Sequence, residues 1–140
     1  MPLLPDGVKG MMIKKILITV GVPSFILVIT ISFFGYRNYK IEQQQKLKEQ
    51  EAIKIVQKHK SNGQSQTILE VIAMLLDGSK SQGEIIIIRG WDAEPYEGSV
   101  YYVYFYYDDD GNSRNFSFVV DTATKEVRGV TDTEATLFGI

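Results

Sequence analysis

Residues 16–35, ILITVGVPSFILVITISFFG, carry no charge, and charged or polar residues resume on both sides. A helix rises about 1.5 Å per residue, so a run of this length crosses a hydrocarbon core about 30 Å thick. The pattern predicts a membrane-spanning helix over residues 16–36, bent at Pro23, with Tyr36 and Tyr39 at the interface. Residues 37–60 are polar nearly all round until Ala52, where Ile53, Ile55 and Val56 gather. This predicts a solvated stalk helix whose last two turns dock on a following domain, ended by Ser61-Asn62-Gly63. Thr67 and Glu70 have capping-box spacing just before an apolar run. A helix over Ile68–Asp77, closed by Gly78, is apolar around most of its circumference and is expected to be covered.

From Gly83 onward the period changes from helical to alternating. Glu84–Arg89 is a β-branched run, a strand apolar on both faces. Gly90–Gly98 reads as a loop, with Trp91 finishing the strand. Val100–Tyr107 follows, then a turn on Asp110-Gly111. Asn115–Asp121 alternates, with Phe116, Phe118 and Val120 inward, and a second turn at Asp121–Lys125 leads to a short strand over Glu126–Thr131. A last helical turn is expected within residues 132–140. The class is α+β: an N-terminal transmembrane helix running into a stalk helix, a second buried helix, then a four-stranded antiparallel meander. The divisions are a basic tail (1–15), the span (16–36), the stalk (37–60) and a small α+β extracytoplasmic domain (61–140).

Charge sharpens this picture. Lys9, Lys14, Lys15 and Arg37 against Asp6 leave residues 1–37 at +3, whereas residues 38–140 carry 11 basic and 16 acidic side chains. A short tail with basic residues set directly against the apolar run predicts a cytoplasmic N-terminus, with the domain outside the membrane. Pro2, Pro5 and Gly7 argue against a helix at the very start, and translation is expected to begin at Met11 or Met12 rather than Met1. The run is too long for a signal peptide, and Phe33 fits poorly at a cleavage site, so the anchor is read as uncleaved. The acidic domain argues against nucleic acid as a partner. The chain has no cysteine, which excludes disulfides, thiolate chemistry and zinc-thiolate sites.

The segment VYYVYFYYDDDGNSRNFSFVVDTATKEVRGV resembles the second half of a PepSY-type repeat. It has an aromatic alternating strand, an Asp-Gly turn, and then Asp121, Thr124 and Val127 in a turn pattern, with Lys125 where that pattern commonly has Gly. The order of helices and meander is also similar to cystatin-like and NTF2-like extracytoplasmic domains on single-pass bacterial proteins. These resemblances imply a module that modulates or assembles other proteins, and they imply no catalytic residue.

The candidate partner-binding residues are Trp91, Tyr96, Tyr102, Tyr104 and Tyr106, because exposed Tyr and Trp bring a large contact area and one polar group each. Asp108-Asp109-Asp110 lacks the further acids that a calcium loop requires and reads as a hairpin turn. Asp92, Glu94 and Glu97 read as solvated loop acids, and the lone His59 as a cation near a helix end. No acid, base, nucleophile or metal set converges, and no cofactor is expected. The expected role is a membrane-anchored, non-catalytic accessory or interaction protein, held in the bilayer by residues 16–36, whose domain binds a protein partner or a larger membrane complex. The alternatives are a small-ligand pocket between helix 68–77 and the sheet, or a protease-inhibitory module.

Overall fold

The computed structural model describes the backbone of residues 6–60 and 63–140, with side chains from residue 27 onward. It is an α+β chain: α1 (Asp6–Lys58), α2 (Ile68–Ser81), β1 (Ile86–Glu97), β2 (Val100–Asp109), β3 (Asn112–Asp121), β4 (Glu126–Gly129) and α3 (Asp132–Phe138). The chain divides into two units, residues 1–44 and 45–140.

In the first unit, residues 27–40 are exposed on every side, including Leu27, Val28, Ile29, Ile31, Phe33 and Phe34. Lys40 Nζ sits 4.9 Å from the centre of the Tyr36 ring, a cation–π contact. Among the described residues, no helix is long and apolar enough to cross a membrane. Residues 16–26 of the predicted span, Pro23 included, lie outside those whose side chains are described. The helix starts at Asp6, earlier than the glycine at position 7 led us to expect.

The second unit begins within α1. Ala52 and Val56, one turn apart, are fully buried, and Ile53 and Ile55 pack beside them, as the apolar clustering predicts. The helix ends at Lys58, two residues short of expectation. The predicted stop at Ser61-Asn62 lies outside the described residues, and Gly63 has φ +88°.

The predicted capping box opens α2. Thr67 N–H donates to Glu70 Oε2 (2.6 Å), and Glu70 N–H donates to Thr67 Oγ1 (3.3 Å). The helix does not stop at Gly78. A helical glycine costs only about 1 kcal/mol against alanine, so it does not by itself end a helix. The stop is Gly83, at φ +94°. Its N–H donates to the Lys80 carbonyl (3.0 Å), and Glu84 N–H donates to the Ser79 carbonyl (3.3 Å), a Schellman closure. Only the stripe Ile68, Ile72 and Leu76 is buried; Leu69, Met74 and Leu75 are exposed, so α2 is less covered than its composition implies.

The sheet is a meander in the order β1-β2-β3-β4, antiparallel throughout. The Asp110-Gly111 turn is as expected: both residues have positive φ (49° and 82°), which matches the twist of a two-residue hairpin. The predicted loop over Gly90–Gly98 is instead the second half of β1, paired to β2 through Glu97. Register shifts between Ile88 and Gly90 and between Pro95 and Glu97 admit one extra residue at each point. Pro95 is tolerated because β1 is an edge strand. Ile87 and Ile88 of this edge are exposed. The β4 strand ends at Gly129 rather than Thr131.

The core lies on one face of the sheet. Tyr101, Val103, Phe105, Phe118, Val120, Val127 and Ala93 are buried there with the α1 and α2 stripes and with Phe138 of α3. Phe138 meets Phe116 and Phe118 edge-on, at 5.3 and 5.2 Å between centroids. A second capping box, Thr131 with Glu134, starts α3. Glu134 is buried: Oε2 accepts from Thr131 N–H (3.0 Å) and from the Thr131 hydroxyl, and Oε1 accepts from Ser117 N–H (3.1 Å). One carboxylate thus caps the helix and ties it to β3. Gly129 lets α3 approach closely, since a Cβ there would lie 2.5 Å from Ala135 N.

Candidate functional site

Directly paired residues in an antiparallel sheet share a face. Tyr102 pairs with Glu94 and Val119, Tyr104 with Asp92 and Ser117, and Tyr106 with Gly90 and Asn115. All of these lie on the face opposite the core. Tyr96, the extra residue at the second shift of β1, is exposed and meets Tyr102 edge-on at 5.2 Å. Tyr102 and Tyr104 lie 6.3 Å apart with their planes 17° from parallel; Tyr104 and Tyr106 lie 5.8 Å apart at 27°. Four of the predicted residues therefore form one continuous aromatic row, Tyr96-Tyr102-Tyr104-Tyr106.

The structure does not bring Trp91 to that row. Trp91 pairs with Phe105, and its ring lies 5.0 Å from Phe105 and 6.3 Å from Phe118, on the core face. The shift at Arg89 sets this parity, because one extra residue reverses which face each later side chain takes.

Carboxylates border the row. Asp92 and Glu94 are exposed beside Tyr104 and Tyr102. Burial, then Glu94 and its neighbours, push the Tyr104 hydroxyl above the usual phenol range. Beyond Tyr106 lies Asp108, which is buried. Its Oδ2 accepts from Arg89 Nε (2.8 Å) and Nη2, and its Oδ1 accepts from the Ser113 hydroxyl (2.9 Å). These bonds, Arg89 first, hold the Asp108 carboxyl below the usual range. Asp92, Glu94, Arg89 and Asp108 were not singled out from the sequence as neighbours of the tyrosines. Their shared face becomes readable only once β1 is extended through Gly90.

The remaining sequence candidates fall elsewhere. Asp110 Oδ1 accepts from Ile85 N–H (2.9 Å), a turn role. Among the described residues, no group of acidic or His side chains is placed to hold a metal ion. His59 lines a cavity of about 470 Å³ with Glu51, Lys54, Lys58, Lys60 and Lys125, and burial lowers its pKa. Glu51 and Lys125 pair there at 2.7 Å. No family model, curated protein or solved structure matches the chain.

Proposed function

We propose that the protein is a non-catalytic accessory protein, anchored in a bilayer by residues 16–36, whose domain binds a protein partner through the outer face of its sheet. The observation that carries this reading is the row Tyr96-Tyr102-Tyr104-Tyr106 on the face opposite the core, exposed at Tyr96 and Tyr106 and half-buried between them. Such rings suit an interface because they bring a large area at low entropic cost. The uncharged run at 16–35, with exposed apolar side chains all round residues 27–34, supports the anchor. The basic tail supports an N-terminus on the cytoplasmic side. The domain that follows the stalk residues 37–60 in the chain is then extracytoplasmic.

The test is the native mass of the tagged full chain in mild detergent, with identification of what co-migrates. A defined assembly that dissolves in the Tyr102→Ala/Tyr104→Ala variant is the expected result. A free monomer, or an assembly indifferent to that variant, would refute it.

A further inference from the structure

The cavity beside His59 lies within the second unit, where the last turns of α1 meet the turn that joins β3 to β4. It gathers cations. The ammonium groups of Lys54, Lys58, Lys60 and Lys125 line it against the single carboxylate of Glu51. Residues 38–140 carry 11 basic and 16 acidic side chains, so an acidic domain places four of its few cations at one concavity. Lys54 and Lys58 stand one turn apart on α1, a spacing at which like charges repel. Lys60 is fixed by a backbone bridge to Thr67, and the neighbouring His59 carbonyl accepts from Ile68 N–H (3.0 Å). Lys125 enters from the β3–β4 turn at φ +65°, a strained conformation for an L residue, and its ammonium pairs with Glu51. Among the described residues, no carboxylate forms an ion pair with Lys54, Lys58 or Lys60.

A cleft lined by charge of one sign concentrates counter-ions of the other. Ammonium is a compact point charge that binds phosphate without needing a fixed fork geometry. A phosphate monoester brings about two negative charges and three acceptor oxygens, enough to meet several ammonium groups at once, whereas a carboxylate brings one charge. The cavity, about 470 Å³, has the size of a small-molecule site, and half-buried Ile55 adds an apolar contact to its lining. We propose that this cavity binds a small phosphate-bearing anion, held by Lys54, Lys58 and Lys60, with Lys125 shared between the ligand and Glu51. The site has no residue in common with the tyrosine row and stands independently of it.

The full chain in neutral detergent is titrated calorimetrically with inorganic diphosphate and, at matched ionic strength, with succinate. Diphosphate is expected to bind, and succinate about tenfold more weakly. Lys54→Gln/Lys58→Gln, which alters only exposed side chains, is expected to weaken diphosphate about tenfold or more. Lys40→Gln/Lys46→Gln removes the same charge earlier in α1 and is expected to change it less than about twofold. Glu51→Gln frees Lys125 and is expected to tighten diphosphate several-fold, whereas Glu42→Gln is expected to leave it unchanged. Absence of diphosphate binding, equal binding of succinate, equal loss in the Lys40/Lys46 variant, or indifference to Glu51→Gln would each overturn the proposal. Repeating the titration in bilayers identifies the source of the phosphate. Loss of diphosphate binding in vesicles containing phosphatidate, but not in phosphatidylglycerol vesicles of matched surface charge, assigns the cavity to a lipid headgroup; binding equal in both assigns it to a soluble ligand.

Discussion

The two faces of the sheet are built from alternate residues of the same strands, and both are rich in aromatic rings. Tyr101, Val103 and Phe105 point one way from β2, and Tyr102, Tyr104 and Tyr106 the other. The inner set is sealed by Ala52 and Val56 of α1, the Ile68-Ile72-Leu76 stripe and Phe138. Among the described residues the outer set meets its neighbours in the sheet, so its rings stack along the strand and against Tyr96 of β1. Burial is therefore not a property of β2's composition. It is decided by which face other elements cover. Rings on the covered face stabilise the fold through area removed from water, while rings on the open face retain that area for a partner.

Substitutions on the two faces should separate these roles. Phe118→Ala, at a fully buried ring, is expected to cost about 3–5 kcal/mol in denaturant unfolding of the full chain in detergent. Gly129→Ala is expected to cost about 1–3 kcal/mol, because the new methyl meets Ala135 N and Glu134 Cβ, and it should loosen α3 first, visible as faster amide exchange in residues 132–138. Thr131→Ala removes the cap of α3 and is expected to cost about 1 kcal/mol, read from the shift of the unfolding midpoint. Tyr104→Ala loses two ring contacts on the open face and is expected to cost no more than about 1 kcal/mol while abolishing co-migration of a partner. If Tyr104→Ala destabilised the fold as much as Phe118→Ala, the contrast between the faces would collapse.

The smallest effect at neutral pH concerns acid. Asp108 and Asp121 are both held below the ordinary carboxylate range, Asp108 chiefly by Arg89 and Asp121 chiefly by the Ser99 hydroxyl. Such groups bind protons more readily in the unfolded chain. Their contribution is present above about pH 4 and is lost as pH falls below it through their folded values. Asp108→Asn is expected to flatten that acid limb in thermal melts collected across pH. An unchanged limb would show that the Arg89–Asp108 pair at the end of the tyrosine row does not couple to folding.

The meander was legible from short-range chemistry. Asp110-Gly111 has the turn residues that positive φ demands, Phe116-Phe118-Val120 alternates cleanly, and Thr67 with Glu70 announces a helix start. The same spacing at Thr131 and Glu134 is a weaker signal in the sequence, because no long apolar run follows it. The second half of β1 was hidden. Gly90 and Pro95 ordinarily break strands, and only pairing with β2 at an edge makes both acceptable. With that half read as a loop, Trp91 had no face, and Asp92 and Glu94 had no relation to the tyrosines.

Alternation within the chain by itself determined that Tyr102, Tyr104 and Tyr106 share a face, since successive side chains in a strand point to opposite sides. It could not determine which face that is, because both sets in β2 are apolar and aromatic. Tertiary structure decided it. The helices close over Tyr101, Val103 and Phe105, and the extra residue at Arg89 sends Trp91 to that covered side and Asp92 and Glu94 to the open one. The physical reason is that a strand's period is local, whereas burial depends on what distant segments bring against it.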